Sequence, residues 1–277
     1  MPEGDTVHHA AGRLHAALAG ERLLATDFRV PRFATVDLAG QAVREVLARG
    51  KHLLLRTDGD LTVHSHFAMD GAWHLYRPGE RWRGPQFQVR AVLRTRPWVA
   101  VGFRLAVCEV LPTRREGDVV GHLGPDVLGP DWDPGEAARR LRAEPQRPIG
   151  AALLDQRAIA GPGNVYKCEL LFLRGVDPWT PVGRVPDVDG MVALLKRLME
   201  ANRSRPGHVT TGDLSRGRTH WVYGRAGEPC RRCGTPIRRA GPPGGDAERV
   251  TFWCPTCQPP SGTTPTRAER PGHTGAP

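Results

Sequence analysis

Cys230-Arg-Arg-Cys233 and Phe252-Trp-Cys-Pro-Thr-Cys257 place two Cys-x-x-Cys pairs near the end of a 277-residue chain. Each pair forms a knuckle that turns two thiolates toward one point. Two knuckles enclose a tetrahedral zinc ion and leave no open coordination position, so the ion is structural. A redox pair is the rival use of a single Cys-x-x-Cys, but the doubling favours zinc held by Cys230, Cys233, Cys254 and Cys257 on a β-hairpin. Arg231, Arg232, Arg238, Arg239 and Arg249 lie on or between the knuckles. A hairpin fixed by metal turns such guanidinium groups toward phosphate, the alternative being a solvated basic face. A zinc ribbon therefore ends the fold, and the cores must be built upstream of it.

Upstream, residues 204–228 are rich in Gly, Arg and Thr and predict a loop. Before it, apolar spacing predicts helices over Pro134–Ala143, Ile149–Asp155, Val165–Leu173 and Asp189–Arg203, with Pro178 and Pro181 breaking the run ahead of the last. Residues 21–111 read instead as short alternating strands at Leu23–Val30, Ala42–Ala48, His52–Arg56, Leu61–His66, Ala72–Tyr76, Phe87–Leu93, Trp98–Phe103 and Ala106–Leu111. Breaks such as Asp58-Gly-Asp60 suggest antiparallel pairing in a sandwich. Val7, Ala11, Leu14 and Leu18 recur at helical spacing directly after the N-terminus, with Asp5 or Thr6 as the expected cap and Gly20 as the stop. The expected class is α+β and multidomain: a leading helix with a β-sandwich over 2–112, a helical domain over 113–224, the zinc hairpin over 225–258 and a disordered tail over 259–277.

Lys plus Arg total 39 against 29 Asp plus Glu, a net +10, which calls for an anionic partner. No apolar stretch is long enough to span a bilayer and no signal-peptide pattern opens the chain, so nucleic acid in the cytoplasm is favoured over a membrane. All but three of the basic residues are arginine. Arginine does not release its proton, which leaves Lys51, Lys167 and Lys196 as the amines able to act as base or nucleophile. Cys108 and Cys168 stand alone in apolar runs and read as buried thiols rather than a disulfide framework.

Pro2 adds a second amine of a different kind. Once Met1 is removed its nitrogen is a secondary amine that titrates near 7.7–8.0 in model peptides, and the positive end of the following helix favours the neutral form. Attack of that nitrogen on the C1′ of a nucleotide sugar, with departure of the base, gives an iminium that needs no added proton. The iminium acidifies C2′; elimination of the 3′ phosphate and then the 5′ phosphate follows. Alone, Pro2 is better explained as a residue that permits Met removal, and Glu3 as a first-turn carboxylate.

Context decides between these readings. Met1-Pro-Glu-Gly-Asp5, Arg49-Gly-Lys-His-Leu-Leu-Leu55, Gly161-Pro-Gly-Asn-Val-Tyr166 and Phe252-Trp-Cys-Pro-Thr-Cys-Gln258 occur in one order, and together they resemble the formamidopyrimidine-DNA glycosylase and endonuclease VIII family from Pro2 to Gln258. The resemblance implies a helix-two-turns-helix element in the helical domain and a bifunctional DNA glycosylase and abasic-site lyase of base excision repair. Pro2 matches the Schiff-base nucleophile, Glu3 the general acid, and Lys51 the lysine that assists β-elimination. Asn164 falls where the family presents an Asn and turn amides to phosphates, although it also suits a cap for a helix starting at Val165. Arg249 matches the arginine that grips phosphates and assists δ-elimination, on a hairpin lengthened by Gly241-Pro-Pro-Gly-Gly-Asp246.

Met69, in His66-Phe-Ala-Met-Asp-Gly71, falls at or beside the family's void-filling wedge, with a core methionine as the alternative. Val101-Gly-Phe-Arg-Leu105 lacks the Arg-Arg-Phe loop of the purine-directed branch. Gly121-His-Leu-Gly-Pro-Asp-Val-Leu128 is similar to the endonuclease VIII branch, with His122 where some members carry a DNA-binding arginine. The expected activity is excision of oxidised pyrimidines with β,δ-elimination. A purine-directed glycosylase and a non-catalytic damaged-DNA-binding protein are the alternatives. The expected partner is damaged double-stranded DNA, with single-stranded or bubble DNA as a further substrate. Structural zinc without an organic cofactor, a monomeric state and a cytoplasmic, nucleoid-associated location complete the expectation.

Overall fold

A computed structural model describes residues 2–241 and 250–260. Arg249, and the tail from residue 261 onward, lie outside the described residues.

The chain opens with helix α1, Gly4–Leu18, which buries Val7, Ala11, Leu14 and Leu18. The i, i+4, i+7 repeat thus gives one apolar stripe, and each buried Leu or Val contributes roughly 1.5–3 kcal/mol. Gly20, at φ +83, turns the chain out of the helix. The N-cap is Glu3, two or three residues before the expected Asp5 or Thr6, and its side chain caps nothing in its own helix. Both carboxylates at this end are committed to other segments.

Eight strands follow: β1 (Ala25–Phe28), β2 (Val43–Arg49), β3 (His52–Thr57), β4 (Leu61–His66), β5 (Ala72–Tyr76), β6 (Val89–Arg94), β7 (Val99–Phe103) and β8 (Val107–Pro112). They form two antiparallel four-stranded sheets, ordered β1-β6-β7-β5 and β2-β3-β4-β8. Leu53, Leu55, Val63, Leu93 and Ala100 meet between the sheets, where α1 adds its stripe. The expected strand start at Phe87 is a single 3-10 turn, Gln86–Gln88, and pairing begins at Val89.

The helical part holds α2 (Gly117–Val120), α3 (Pro134–Arg142), α4 (Ile149–Ala152), α5 (Asn164–Arg174) and α6 (Val188–Asn202). Asp133 and Asp187 cap α3 and α6 by accepting the amides of Glu136 (2.9 Å) and Gly190 (2.7 Å). The predicted helix from Ile149 to Asp155 is one turn only. Asp155 accepts the amide of Arg157 at 2.9 Å and bends the chain before a second turn forms. The core here gathers Ile149, Tyr166, Leu170, Met191, Leu195 and Met199. Strands β9 (Arg238–Ala240) and β10 (Thr251–Trp253) form the C-terminal hairpin. Among the described residues no helix is long and apolar enough to cross a membrane.

Candidate active site

The first residues dock on the loop that leads into α5. Gly4 donates its amide to the Gly161 carbonyl at 2.9 Å. The Glu3 carboxylate, 0% exposed, accepts the amides of Gly163 (2.6 Å), Val165 (2.7 Å) and Tyr166 (3.4 Å). It therefore occupies the positive end of α5, a position made for an anion. The approach is possible only because the facing residues lack side chains. A Cβ on Gly163 would lie 2.7 Å from Glu3 Cδ, and one on Gly4 would lie 2.8 Å from Gly161 Cα. Two motifs far apart in sequence are thus halves of one contact. Gly163→Ala is expected to lower stability by about 1–3 kcal/mol through overpacking and to displace Glu3. Thermal unfolding and excision assayed together check this.

Asp5, also buried, accepts the Tyr166 hydroxyl at 2.6 Å and pairs with His208 Nε2 at 3.2 Å. His208 belongs to the segment between α6 and the hairpin. That segment is held at its start by Asn202, which exchanges two 3.0 Å bonds with Val209. At its end Glu169 on α5 accepts the amides of Trp221 (2.7 Å), Val222 (2.8 Å) and Tyr223 (2.8 Å), and also the Thr210 hydroxyl. The loop expected over 204–228 is therefore a strap tied to both α1 and α5. Burial alone would lower the His208 pKa, but the hydrogen bond and charge of Asp5, with Glu3 behind it, raise it above the ordinary 6.5. A raised folded value means that the pair's stabilisation is fully present below 6.5 and is lost as pH climbs through the folded value. Tryptic cleavage of the strap at its exposed arginines, Arg216 and Arg218, should quicken with rising pH relative to cleavage at surface arginines elsewhere; equal ratios across pH would contradict it.

Lys51 sits in the turn between β2 and β3, as expected from its glycine neighbour. Gly50 takes φ +57 there and donates its amide to Asp126 Oδ2 at 2.7 Å. Arg49 pairs with Asp131 at 2.7 Å and also reaches the Gly124 carbonyl. Asp126, whose pKa burial raises against the bonds from Gly50 and Leu128, thereby fixes this turn onto segment 121–128. Lys51 itself is half-buried. His122 is exposed in the same segment, with its ring 6.3 Å from that of His52. Met69 is 47% exposed on the β4–β5 loop rather than in the core. Ala68 takes φ +50 there, and Asp70 is paired with Arg104 at 2.9 Å.

Asn164 is placed differently from either reading of it. It is the first residue of α5 with Gly163 as the N-cap, it is 2% exposed, and its Nδ2 donates to the Val250 carbonyl at 2.7 Å. Lys167, one turn on, donates to Thr251 Oγ1 at 2.8 Å. Both side chains fasten the hairpin to α5.

Within the hairpin the four thiols of Cys230, Cys233, Cys254 and Cys257 lie within 4.8 Å of one another. Their separations of 3.9 Å (Cys230 to Cys257), 3.5 Å (Cys233 to Cys254) and 3.6 Å (Cys233 to Cys257) match the edge of a tetrahedron built on zinc–sulfur bonds of about 2.3 Å. Backbone amides of Arg232 and Cys257 point at Cys230 and Cys254 sulfur, as thiolates require. The donor set is that of a structural zinc ion.

Residues 1–105 match the formamidopyrimidine-DNA glycosylase N-terminal domain, residues 123–200 its H2TH domain, and residues 227–260 the zinc finger found in FPG and IleRS. A probable endonuclease 8 2 of Streptomyces coelicolor is 56% identical over 93% of this chain and 94% of its own length. The chain belongs to the formamidopyrimidine-DNA glycosylase and endonuclease VIII family. Another relative, the DNA-(apurinic or apyrimidinic site) lyase Nei2 of Mycolicibacterium smegmatis, is 52% identical over 93% of this chain and 99% of its own. Among solved structures, the Lactococcus lactis Fpg in complex with abasic-site DNA superposes with a TM-score of 0.76 at 21% identity, over 93% of this chain and all of that one.

In this member of the glycosylase family, Glu3 and Gly4 meet the α5 entry, Gly50 next to Lys51 packs against Gly161 of the same loop, Met69 and His122 are exposed, and Arg249 falls outside the described residues. Sequence reading missed the residues that assemble this site: Asp5, Asp126, Tyr166, Glu169 and His208. Asp126 lay in a quoted motif, where a carboxylate next to Pro125 was the available signal. Glu169 carried none.

Proposed function

We propose that this DNA glycosylase and abasic-site lyase of base excision repair acts on oxidised pyrimidines such as thymine glycol and 5-hydroxy derivatives of cytosine. Pro2, with Met1 removed, attacks C1′ of the damaged nucleotide as the C1′–base bond breaks, and the C1′–O4′ bond then opens to give the iminium; of the two protons taken up by the ring oxygen and the departing base, Glu3 delivers one and the Pro2 N–H supplies the other. Loss of a C2′ proton from the iminium expels the 3′ phosphate with help from Lys51, and a second elimination, assisted by Arg249, expels the 5′ phosphate. Lys51, His122 and Arg249 face the phosphates, and Met69 fills the space left by the extruded nucleotide. The protein works as a monomer on duplex DNA, takes single-stranded or bubble DNA as well, and resides at the nucleoid.

The observation that carries the chemistry is the Glu3 carboxylate seated on the amides of Gly163, Val165 and Tyr166, one residue from the Pro2 nitrogen. The pyrimidine preference rests on the family resemblance and on the turn from β7 to β8. Only Arg104, Leu105 and Ala106 separate those strands, which leaves no loop to supply a second wedge. Single-turnover excision on matched duplexes tests this: thymine glycol should be removed about tenfold or more faster than 8-oxoguanine opposite cytosine. The reverse order would reject the assignment in favour of a purine-directed enzyme.

A further inference from the structure

Beside the Lys51 turn, the outer face of the β2-β3-β4-β8 sheet carries a row of histidines that the proposed chemistry does not use. His52 opens β3 and is the register partner of His66, which closes β4, and His64 is the register partner of Glu109 on β8. Alternation along the strands puts His52, His64 and His66 on one face, while Leu53, Leu55 and Val63 point into the sandwich. His64 is buried, and its Nδ1 lies 2.8 Å from Glu109 Oε1. Its Nε2 lies 2.8 Å from His52 Nδ1, and the two rings stack at 5.0 Å. His52 is met edge-on by His66 at 5.0 Å and by His122 at 6.3 Å.

Hydrogen-bond logic fixes the protons along this row. A carboxylate only accepts, so His64 Nδ1 carries the hydrogen toward Glu109. With Nδ1 as the donor, His64 Nε2 accepts from His52 Nδ1, which leaves His52 Nε2 with a bare lone pair. A proton arriving there is passed inward. It binds His52 Nε2, the Nδ1 hydrogen of His52 moves to His64 Nε2, and the imidazolium charge settles on His64 beside the Glu109 carboxylate, with no other bond changed.

We propose that His52, His64 and Glu109 form a proton relay through which the protein takes up one solvent proton when a DNA phosphate docks at the Lys51 turn. His52 is the receiving group, and His64 and Glu109 are positioning residues. The inference rests on the proposed phosphate contact of Lys51.

The charges around the row explain why uptake waits for DNA. Lys51 faces it from the β2–β3 turn, His66 from β4 and His122 from segment 121–128; Glu109 on β8 and Glu116 ahead of α2 lie toward His64, and Asp126 is bonded to the Gly50 amide of the same turn. Arg56, paired with Glu45 at 2.8 Å and Glu116 at 2.5 Å, already compensates the second of these. Burial, then His66, His64, His122 and Lys51, push His52 down to about 3, and burial, then Lys51 and His64, push His66 down to about 4. Both rings are therefore neutral in the free protein at neutral pH. A phosphodiester anion supplies the missing negative charge on the outer side, and binding linked to proton uptake tightens as pH falls, by up to about tenfold per pH unit for one proton.

Titration calorimetry of the full chain with a duplex bearing a tetrahydrofuran abasic analogue, near neutral pH in two buffers of different ionisation enthalpy at fixed salt, counts the protons. The relay predicts uptake of about one proton per complex in the wild type and nearly none in His64→Gln or Glu109→Gln, with the duplex still bound. A variant weakened only structurally would bind less tightly with an unchanged proton count. Should His64→Gln fail to fold, His52→Gln at the partly buried receiving end makes the same test. No uptake by the wild type, or equal uptake by the variants, overturns the relay. A protein that still forms the Pro2 adduct but takes up no proton keeps the proposed function and loses the relay alone.

Discussion

Glu3→Gln should slow excision of an oxidised pyrimidine by about 10²–10⁴-fold, the range spanned by a positioned general acid. The variant keeps one carbonyl oxygen but not two acceptors. In the wild type Oε1 takes the Val165 amide and Oε2 takes those of Gly163 and Tyr166. Whichever way the Gln amide turns, its NH₂ faces a backbone N–H in a buried site, at a cost of about 1–3 kcal/mol for the unsatisfied donor. A loss of stability alone would slow every reaction of the enzyme alike. Loss of the acid spares strand cleavage at a preformed abasic site, where no base remains to be protonated and Pro2 is intact. Rates on the two substrates, measured with protein shown to be folded, separate these cases. Equal slowing of both would mean that Glu3 serves only to dock α1 on α5.

Removing zinc should have the second largest effect, on DNA binding. The hairpin has almost no core of its own: Cys254, Ile237 and Val222 pack on Cys168 and Phe172 of α5, and the metal ties the knuckles together. A four-cysteine zinc site supplies about 10–16 kcal/mol at neutral pH, far more than this cluster could replace. In Cys254→Ser, or after chelation, the hairpin should come away from α5 and the bonds of Asn164 to Val250 and of Lys167 to Thr251 should be lost. Each lost arginine–phosphate bond on it would cost about 1.5–3 kcal/mol, on the order of 10–100-fold in Kd. Fluorescence anisotropy with an abasic-analogue duplex reads this directly. The sandwich and helical cores share no residue with the zinc cluster and should keep their circular dichroism.

What the sequence made legible was what is local. The spacing of Val7, Ala11, Leu14 and Leu18 is enough to place α1, because one buried stripe determines a helix. The strands are legible from short apolar runs between turn residues, several of them buried on both faces, and the cysteine knuckles are legible because two short loops set the zinc geometry. The errors came where a polar residue reaches across the fold. Asp5 reads as a cap for its own helix, but its carboxylate is used by a hydroxyl 161 residues away along the chain. Asn164 fits a cap or a surface contact by residue type, and only the docking of the hairpin reveals that it is enclosed. His52 and His64 look like ordinary outward positions of alternating strands until β8 brings Glu109 beside them. No local pattern carries these pairings, since they are set by how the sandwich, helices and ribbon assemble.

The central claim is that the α-nitrogen of Pro2 is the nucleophile. Borohydride reduction of the protein with abasic-site DNA, followed by digestion and tandem mass spectrometry, locates the adduct atom by atom. Protein confirmed to lack Met1 should carry the sugar remnant on the Pro2 nitrogen, with Pro2→Gly trapping far less and Met1-bearing protein none. An adduct on the Lys51 amine, or no adduct from protein free of Met1, would contradict the account.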